Sequence, residues 1–211
     1  MFKVFYLGKI PYLKALYLQQ DLVLKIKEGI AKDYLLFAEH PPTITLGRSF
    51  KESSLLFKKE YYLAKGIDVI EVDRGGDVTY HGFGQLVIYP IFSLNISPHL
   101  YLRKLEEVII LTLKEYNIAA TRKKDYTGVW INAKKIAAIG VKFNKKPSKK
   151  FFITSHGIAL NVNTDLEFFK LIIPCGIKEF GVTSLKELTG SYFSLEEVAK
   201  NIEAKFRILF A

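Results

Sequence analysis

The 211-residue sequence holds a single cysteine, Cys175, so it can form no internal disulfide. A multi-cysteine zinc site or an iron–sulfur cluster held by this chain alone is excluded on the same ground. No apolar run approaches the roughly 18–20 residues that a membrane-spanning helix needs. The opening MFKVFYLGKI has too short an apolar core, and no small-residue cleavage site, to be a signal peptide. There is no G-x-x-x-x-G-K-[ST] phosphate loop and no strand–G-x-G-x-x-G–helix, so nucleotide binding finds no support. The 4 histidines have no metal-ligand spacing, and neither a metal nor a cofactor is expected. Repeats, low-complexity tracts and long linkers are absent too. The expectation is one cytoplasmic domain covering residues 1–211, kept in a reducing compartment and away from membranes.

Acidic residues are also in deficit, 21 against 31 Lys plus Arg, for a formal charge of +10. Such a surface attracts acidic partners at long range. Nucleic acid is one candidate, and an acidic carrier protein satisfies the same physics. The 16 Phe and 12 Tyr read as core, because no basic-aromatic strand motif accompanies them.

Helical spacing runs through 12–28, where Leu13, Leu16, Tyr17, Gln20 and Leu24 recur at three- and four-residue steps in an amphipathic pattern. Ser97-Pro98 is an N-cap followed by proline, ahead of Leu102, Leu105, Ile109, Leu113 and Tyr116. Ser194 with Glu197 forms a capping box before Leu195, Val198, Ile202, Phe206 and Leu209, and Thr164 with Glu167 opens a short helix by the same logic. β-Branched and aromatic runs predict strands at 4–7, 34–39, 43–47, 68–72 and 85–92. A hairpin follows, 128–132 and 135–143 joined by Ala133-Lys134, and strands at 150–154 and 158–163 extend it. Hairpins outnumber strand–helix–strand alternations. The expected fold class is therefore α+β, a mixed and mainly antiparallel sheet packed by helices.

The densest chemistry lies in Arg74-Gly75-Gly76-Asp77-Val78-Thr79-Tyr80-His81-Gly82-Phe83-Gly84-Gln85. Four glycines in twelve residues let the backbone come close to a ligand, while Arg74, Thr79, Tyr80, His81 and Gln85 supply donors around it. Cys175 sits between Pro174 and Gly176, an irregular turn that suits an accessible thiol better than a core filler. A thiol of ordinary pKa, near 8.5, is only about 3% thiolate at neutral pH, so a nucleophilic role requires a nearby cation. His81, His156 and, above all, Lys135 are the candidates. At ~4 Å, an ammonium would gain on the order of 4 kcal/mol against a thiolate at an effective dielectric near 20. Small residues follow Lys135 in Ile136-Ala137-Ala138-Ile139-Gly140. A third cluster runs from Ser155-His156-Gly157-Ile158-Ala159 to Asn163, where His156 reads equally well as a ligand contact or a structural histidine. His40 and His99 read as structural.

These stretches resemble the octanoyltransferases of lipoate biosynthesis. The family signature R-G-G-x-x-T-[aromatic]-H-x-x-G-Q-x-[aliphatic]-x-Y is matched from Arg74 through Tyr89. The likeness continues at Glu39-His40-Pro41-Pro42, at Lys135–Gly140, at Ser155–Asn163, at Pro174-Cys175-Gly176-Ile177 and at Val182-Thr183-Ser184-Leu185. Phe83 stands where the family usually has proline. The resemblance implies a fold shared with biotin and lipoate protein ligase catalytic domains. It also implies transfer of an octanoyl group from octanoyl–acyl carrier protein to a lysine of lipoyl domains, those of 2-oxoacid dehydrogenase complexes or the glycine cleavage H protein. The thioester nucleophile falls on Cys175 and the lysine that activates it on Lys135. Substrate contacts fall on Arg74, Gly75, Gly76, Asp77, Val78, Thr79, Tyr80 and His81, on Ala138, Ile139 and Gly140, and on Gly157, Ile158 and Ala159. Gln85 and His156 are additional candidates. The alternatives are an ATP-dependent lipoate or biotin-type ligase, a lipoyl-domain amidotransferase on the same fold and, more distantly, a basic nucleic-acid-binding module.

Overall fold

The computed structural model describes residues 2–145, 152–176 and 179–210. Ile177, most of the basic stretch 145–150 and the expected strand start at 150–151 lie outside the described residues. Two sheets carry the fold. The larger has the strand order β1 (Lys3–Lys9), β2 (Tyr34–Glu39), β6 (Gln85–Ile91), β10 (Phe152–Asn161), β9 (Lys134–Lys145) and β11 (Gly181–Val182). In it β7 (Ser93–Leu94) also pairs with β10, and β8 (Val129–Ile131) with β9. The smaller has the order β4 (Asp68–Glu71), β3 (Thr43–Leu46), β5 (Val78–His81). Among the described residues, six of the nine strand pairings are antiparallel and three parallel, the mixed α+β architecture expected.

Period-2 alternation sorts the side chains of the larger sheet. Leu86, Ile88, Ile158 and Leu160 face α3 (Pro98–Lys114) and α5 (Leu195–Leu209) in the largest core cluster. Val87, Tyr89, Ile91 and Ala159 face the other way, where α1 (Tyr12–Lys27) covers part of the sheet. The smaller sheet packs Ile44, Leu46, Val78 and Tyr80 against Tyr62 of α2 (Lys59–Ala64) and Phe169 in the turn Leu166–Leu171. Its opposite face carries Thr45, Thr79 and His81. α4 (Leu185–Thr189) is a short connector before α5. The expected caps are present: Ser97 Oγ accepts from Leu100 N at 3.2 Å and Ser194 Oγ from Glu197 N at 3.4 Å.

The structure corrects four local expectations. The buried stripe of α1 is Tyr12, Ala15, Gln19, Leu22 and Ile26, whereas Leu13, Tyr17 and Leu24 are exposed. Both stripes have helical spacing. The inward one carries Gln19, whose Oε1 accepts the backbone N–H of His156 at 2.8 Å. The β8–β9 turn is Asn132-Ala133, one residue earlier than expected, with Asn132 in the left-handed region that asparagine tolerates (φ 53°). The strands expected at 150–154 and 158–163 are one continuous strand through His156, which is held at φ 56°. Asp165, not Thr164, caps the short turn, accepting from Glu167 N at 3.0 Å, while Thr164 is buried.

Candidate active site

The two sheets face each other across a narrow slot, a cavity of about 480 Å³ counting its open mouth. Its floor is built from small residues in register across three strands. Val87, Ala159 and Ala138 align in one row, and Gly157 pairs with Gly140 in the next. Thr79 and His81 line it from β5, Arg74 through Asp77 from the preceding loop and Tyr12 from α1. Glycine is obligatory in the second row. A Cβ on Gly157 would stand 2.0 Å from the carbonyl of Ile88, and one on Gly140 2.9 Å from that of Gly75.

Cys175 lies at one end of the slot, in the turn Pro174–Gly176, with φ 58° and ψ 17°. That left-handed backbone is strained for a residue with a Cβ. The surroundings hold it in place. Ser54 O accepts from Ile173 N at 2.9 Å, Leu55 bridges to Ile172, and Ser54 Oγ donates to Asp77 Oδ2 at 2.6 Å. The other Asp77 oxygen accepts from Val78 N at 2.8 Å and Lys51 N at 3.2 Å. The Lys135 Nζ donates to Cys175 Sγ at 3.2 Å, and the same ammonium stands 4.7 Å from the Trp130 ring centroid. Lys135 is itself buried, at 8% exposure, so the charge beside the sulfur is poorly screened by water.

Arg74 is buried, with no ion-pair partner among the described residues. Its Nη2 donates to Thr45 O at 2.7 Å, its Nε and Nη2 to Thr45 Oγ1 at 3.2 and 2.9 Å, and its Nη1 to Gly75 O at 3.0 Å. The guanidinium therefore braces the loop against β3. Burial lowers its proton affinity below the usual arginine range.

His81 is a neutral hydrogen-bonding group. Burial, then the neighbouring His40, lowers its pKa to about 3. Gln85 Nε2 donates to Tyr80 O (3.1 Å) and Asn161 Oδ1 (3.0 Å), so Gln85 Oε1 accepts from the His81 Nδ1–H at 2.8 Å. His40 is structural, as expected. Its Nδ1–H donates to Ile10 O and its Nε2 accepts from the Tyr89 hydroxyl, both at 2.7 Å, and burial brings its pKa down to about 4. His156 Nε2 donates to Asp73 Oδ1 at 2.7 Å, and Lys142 pairs with the other Asp73 oxygen at 2.5 Å. Burial lowers the His156 pKa more than Asp73 raises it. His99 is exposed on the first turn of α3.

The structure thus gathers Cys175, Arg74 to Asp77, Thr79, His81, Ala138 to Gly140 and His156 to Ala159 around one cavity, with Lys135 reaching it through its contact with Cys175 and Gln85 directly behind His81. It does not bring in the side chains of Val78 and Tyr80. Strand alternation turns both into the outer core, where Tyr80 stacks on Phe168 at 4.9 Å. Phe83 is exposed beneath the Lys9 ammonium, and the turn that proline would stiffen is held by Glu39 Oε1 accepting from Gly84 N at 2.7 Å. Tyr12, Val87, Thr45, Ser54 and Trp130 take part without having stood out in the sequence. Tyr89 closes the signature motif and Asp73 immediately precedes it. Among the described residues, no group of three or more His, Cys, Asp or Glu side chains converges as metal ligands.

This architecture is the one seen in solved lipoate and biotin protein ligases. The bi-partite lipoate protein ligase from Thermoplasma acidophilum superposes with a TM-score of 0.75 at 19% identity, over 99% of this chain and 83% of that one. The biotin protein ligase from Aquifex aeolicus gives 0.53 at 19% identity, over 98% and 69%. The profile of the lipoyl protein ligase A/B catalytic domain matches residues 11–207. Within that class, the octanoyltransferase of Rubrobacter xylanophilus is 49% identical over 202 residues, covering 95% of this chain and 89% of the relative. The chain belongs to the octanoyltransferase family and is an acyltransferase.

Proposed function

We propose that residues 1–211 act as one catalytic unit that moves an octanoyl group from octanoyl–acyl carrier protein to a lysine of a lipoyl domain, through a thioester on Cys175. The observation that carries this reading is the 3.2 Å contact from Lys135 Nζ to Cys175 Sγ at the end of a slot floored by Val87, Ala138, Ala159 and paired glycines. Burying about seven carbons of the chain in that slot is worth roughly 5 kcal/mol at ~0.8 each. The Cys175 thiolate, held beside the Lys135 ammonium, attacks the carrier thioester. The C–S bond to Cys175 forms as the bond to the carrier breaks, and Lys135 hands its proton to the departing carrier thiolate. A lysine amine of the lipoyl domain then attacks the octanoyl thioester. Its proton passes to the now neutral Lys135 and the Cys175 thiolate is released, which restores the starting pair. Arg74, His81 and the 75–77 backbone frame the acyl group, with Val78 and Tyr80 supporting that strand from behind.

No helix among the described residues is long and apolar enough to cross a membrane. We place the reaction in the cytoplasm, where a free thiol stays reduced. The test is intact-protein mass after mixing the chain with octanoyl–acyl carrier protein, beside a Cys175→Ser control. A hydroxylamine-labile octanoyl adduct absent from the variant is the expected result. Modification of a lipoyl domain only when ATP and magnesium are supplied would overturn it in favour of ligase chemistry. An enzyme that accepts octanoyl groups only from other lipoyl domains would be an amidotransferase instead.

A further inference from the structure

A second groove, distinct from the acyl slot, reaches the same thiol. It shares Cys175, Ile139, Gly140 and the Gly75–Asp77 loop with the slot, is lined by Lys135, and runs out past Val141 and Phe143 of β9 and Leu102 of α3 to Asp125 and Tyr126. Its volume is about 780 Å³ counting the open mouth. Two lining residues carry carboxylates. That of Asp77 is engaged by Ser54 and the backbone N–H groups of Lys51 and Val78. That of Asp125 is exposed and makes no hydrogen bond or ion pair among the described residues.

A free carboxylate here is out of keeping with a chain of +10 charge whose reactive thiol already faces a lysine. The loop presenting it is well anchored. Tyr126 packs against the rings of Phe180 and Trp130 at 5.5 and 6.1 Å, and Gly128 N donates to the buried Glu106 at 3.1 Å. Lys123 is turned away, with its ammonium 4.2 Å from the Phe180 ring centroid. Neither Lys123 nor the adjacent Lys124 makes an ion pair with Asp125 among the described residues.

We propose that this groove admits the amine-bearing side chain of the acceptor protein, and that Asp125 is the positioning residue that receives it as an ammonium, which gives up one proton to bulk water at the exposed mouth before the neutral amine moves on to attack. The assignment rests on the octanoyl-transfer reading above. An incoming ammonium approaches a chain of +10 charge and a groove lined by Lys135, and an unpaired carboxylate at the entrance lowers that repulsion. The donor thioester brings no ammonium for that carboxylate to receive. Asp125 therefore acts in the second half of the reaction and not the first.

The two halves can be measured separately. In Asp125→Asn, the rate of octanoyl-enzyme formation from octanoyl–acyl carrier protein should stay within about twofold of the parent chain. In the chase of isolated octanoyl-enzyme, the lipoyl-domain concentration giving half-maximal discharge should rise about two- to fivefold, the span of an exposed ion pair worth up to ~1 kcal/mol. The limiting discharge rate should hold, and Asp125→Glu should restore most of the loss. Equal slowing of both halves, or no change in the chase, overturns the proposal. A binding cycle covers the case in which no octanoyl-enzyme forms and the reaction itself has been misread. Affinity of the Cys175→Ser chain for a lipoyl domain is compared with that for the same domain carrying Met at its target lysine, each with and without Asp125→Asn. Loss confined to the lysine-bearing domain supports the assignment, and equal loss for both domains refutes it.

Discussion

The backbone of Cys175 makes a prediction that separates strain from chemistry. At φ 58° and ψ 17° the residue occupies the left-handed region, where a Cβ crowds the following carbonyl. That costs roughly 1–2 kcal/mol for an L-residue other than glycine. Replacing Cys175 by Ala keeps the strain, and replacing it by Gly relieves it. Both remove the thiol and its contact with Lys135, so those losses cancel when the two variants are compared. Glycine gives back about 0.4–1 kcal/mol through the freedom of its unfolded chain. The net expectation is that Cys175→Gly is more stable than Cys175→Ala by roughly 0.5–1 kcal/mol. For a chain of this size, that is about 1–4 °C in melting temperature. Differential scanning fluorimetry and urea unfolding of the two variants at one pH would read it, with both variants failing to form an octanoyl adduct. An alanine variant as stable as the glycine variant would refute the argument that the surrounding contacts force the thiol into a strained turn to meet Lys135.

Acid should unfold the chain through its buried histidines. The folded state holds His40 down to about 4 and His81 to about 3, chiefly by burial, while the unfolded chain takes up protons near 6.5. This contribution to stability is complete above pH 6.5 and lost as pH falls, at about 1.4 kcal/mol per unit for each histidine until its folded value is reached. Urea midpoints measured from pH 7.5 to 5 should fall accordingly and fall less steeply in His81→Gln; parallel slopes would count against it. Gly157→Ala places a Cβ 2.0 Å from the Ile88 carbonyl and should open the β6–β10 ladder, costing more than the ~1–3 kcal/mol of ordinary overpacking. Gly140→Ala, with 2.9 Å to the Gly75 carbonyl, should be milder, and equal melting temperatures for the pair would contradict that geometry. Overall transfer should slow as salt rises from about 0.05 to 0.5 M, because a +10 chain meets acidic partners by electrostatic steering. A rate indifferent to ionic strength would rule out that route.

Much of the chemistry was already legible along the chain. Motif residues close in sequence, Arg74 to Gln85 and Ser155 to Asn163, carry their meaning locally, since glycine spacing and donor type do not depend on the rest of the fold. Helix caps at Ser97 and Ser194 are local for the same reason. Periodicity was a weaker guide wherever two faces had similar hydrophobicity. In α1 the larger side chains, Leu13, Tyr17 and Leu24, ended up outside, and the inward face carries Gln19, which accepts from the His156 amide of β10.

What the sequence by itself determined is the cast: one thiol, a lysine among small residues, a glycine-rich loop and a surplus of positive charge. Their meeting was decided by tertiary structure alone. Lys135 and Cys175 lie 40 residues apart, and only the placement of β9 beside the turn pinned by Ser54 and Asp77 brings them to 3.2 Å. The facing of the two sheets likewise set Thr79 and His81 into the slot and turned Val78 and Tyr80 out of it. Side-chain direction on a strand is a local alternation, but which of its two faces meets the substrate depends on what packs against each.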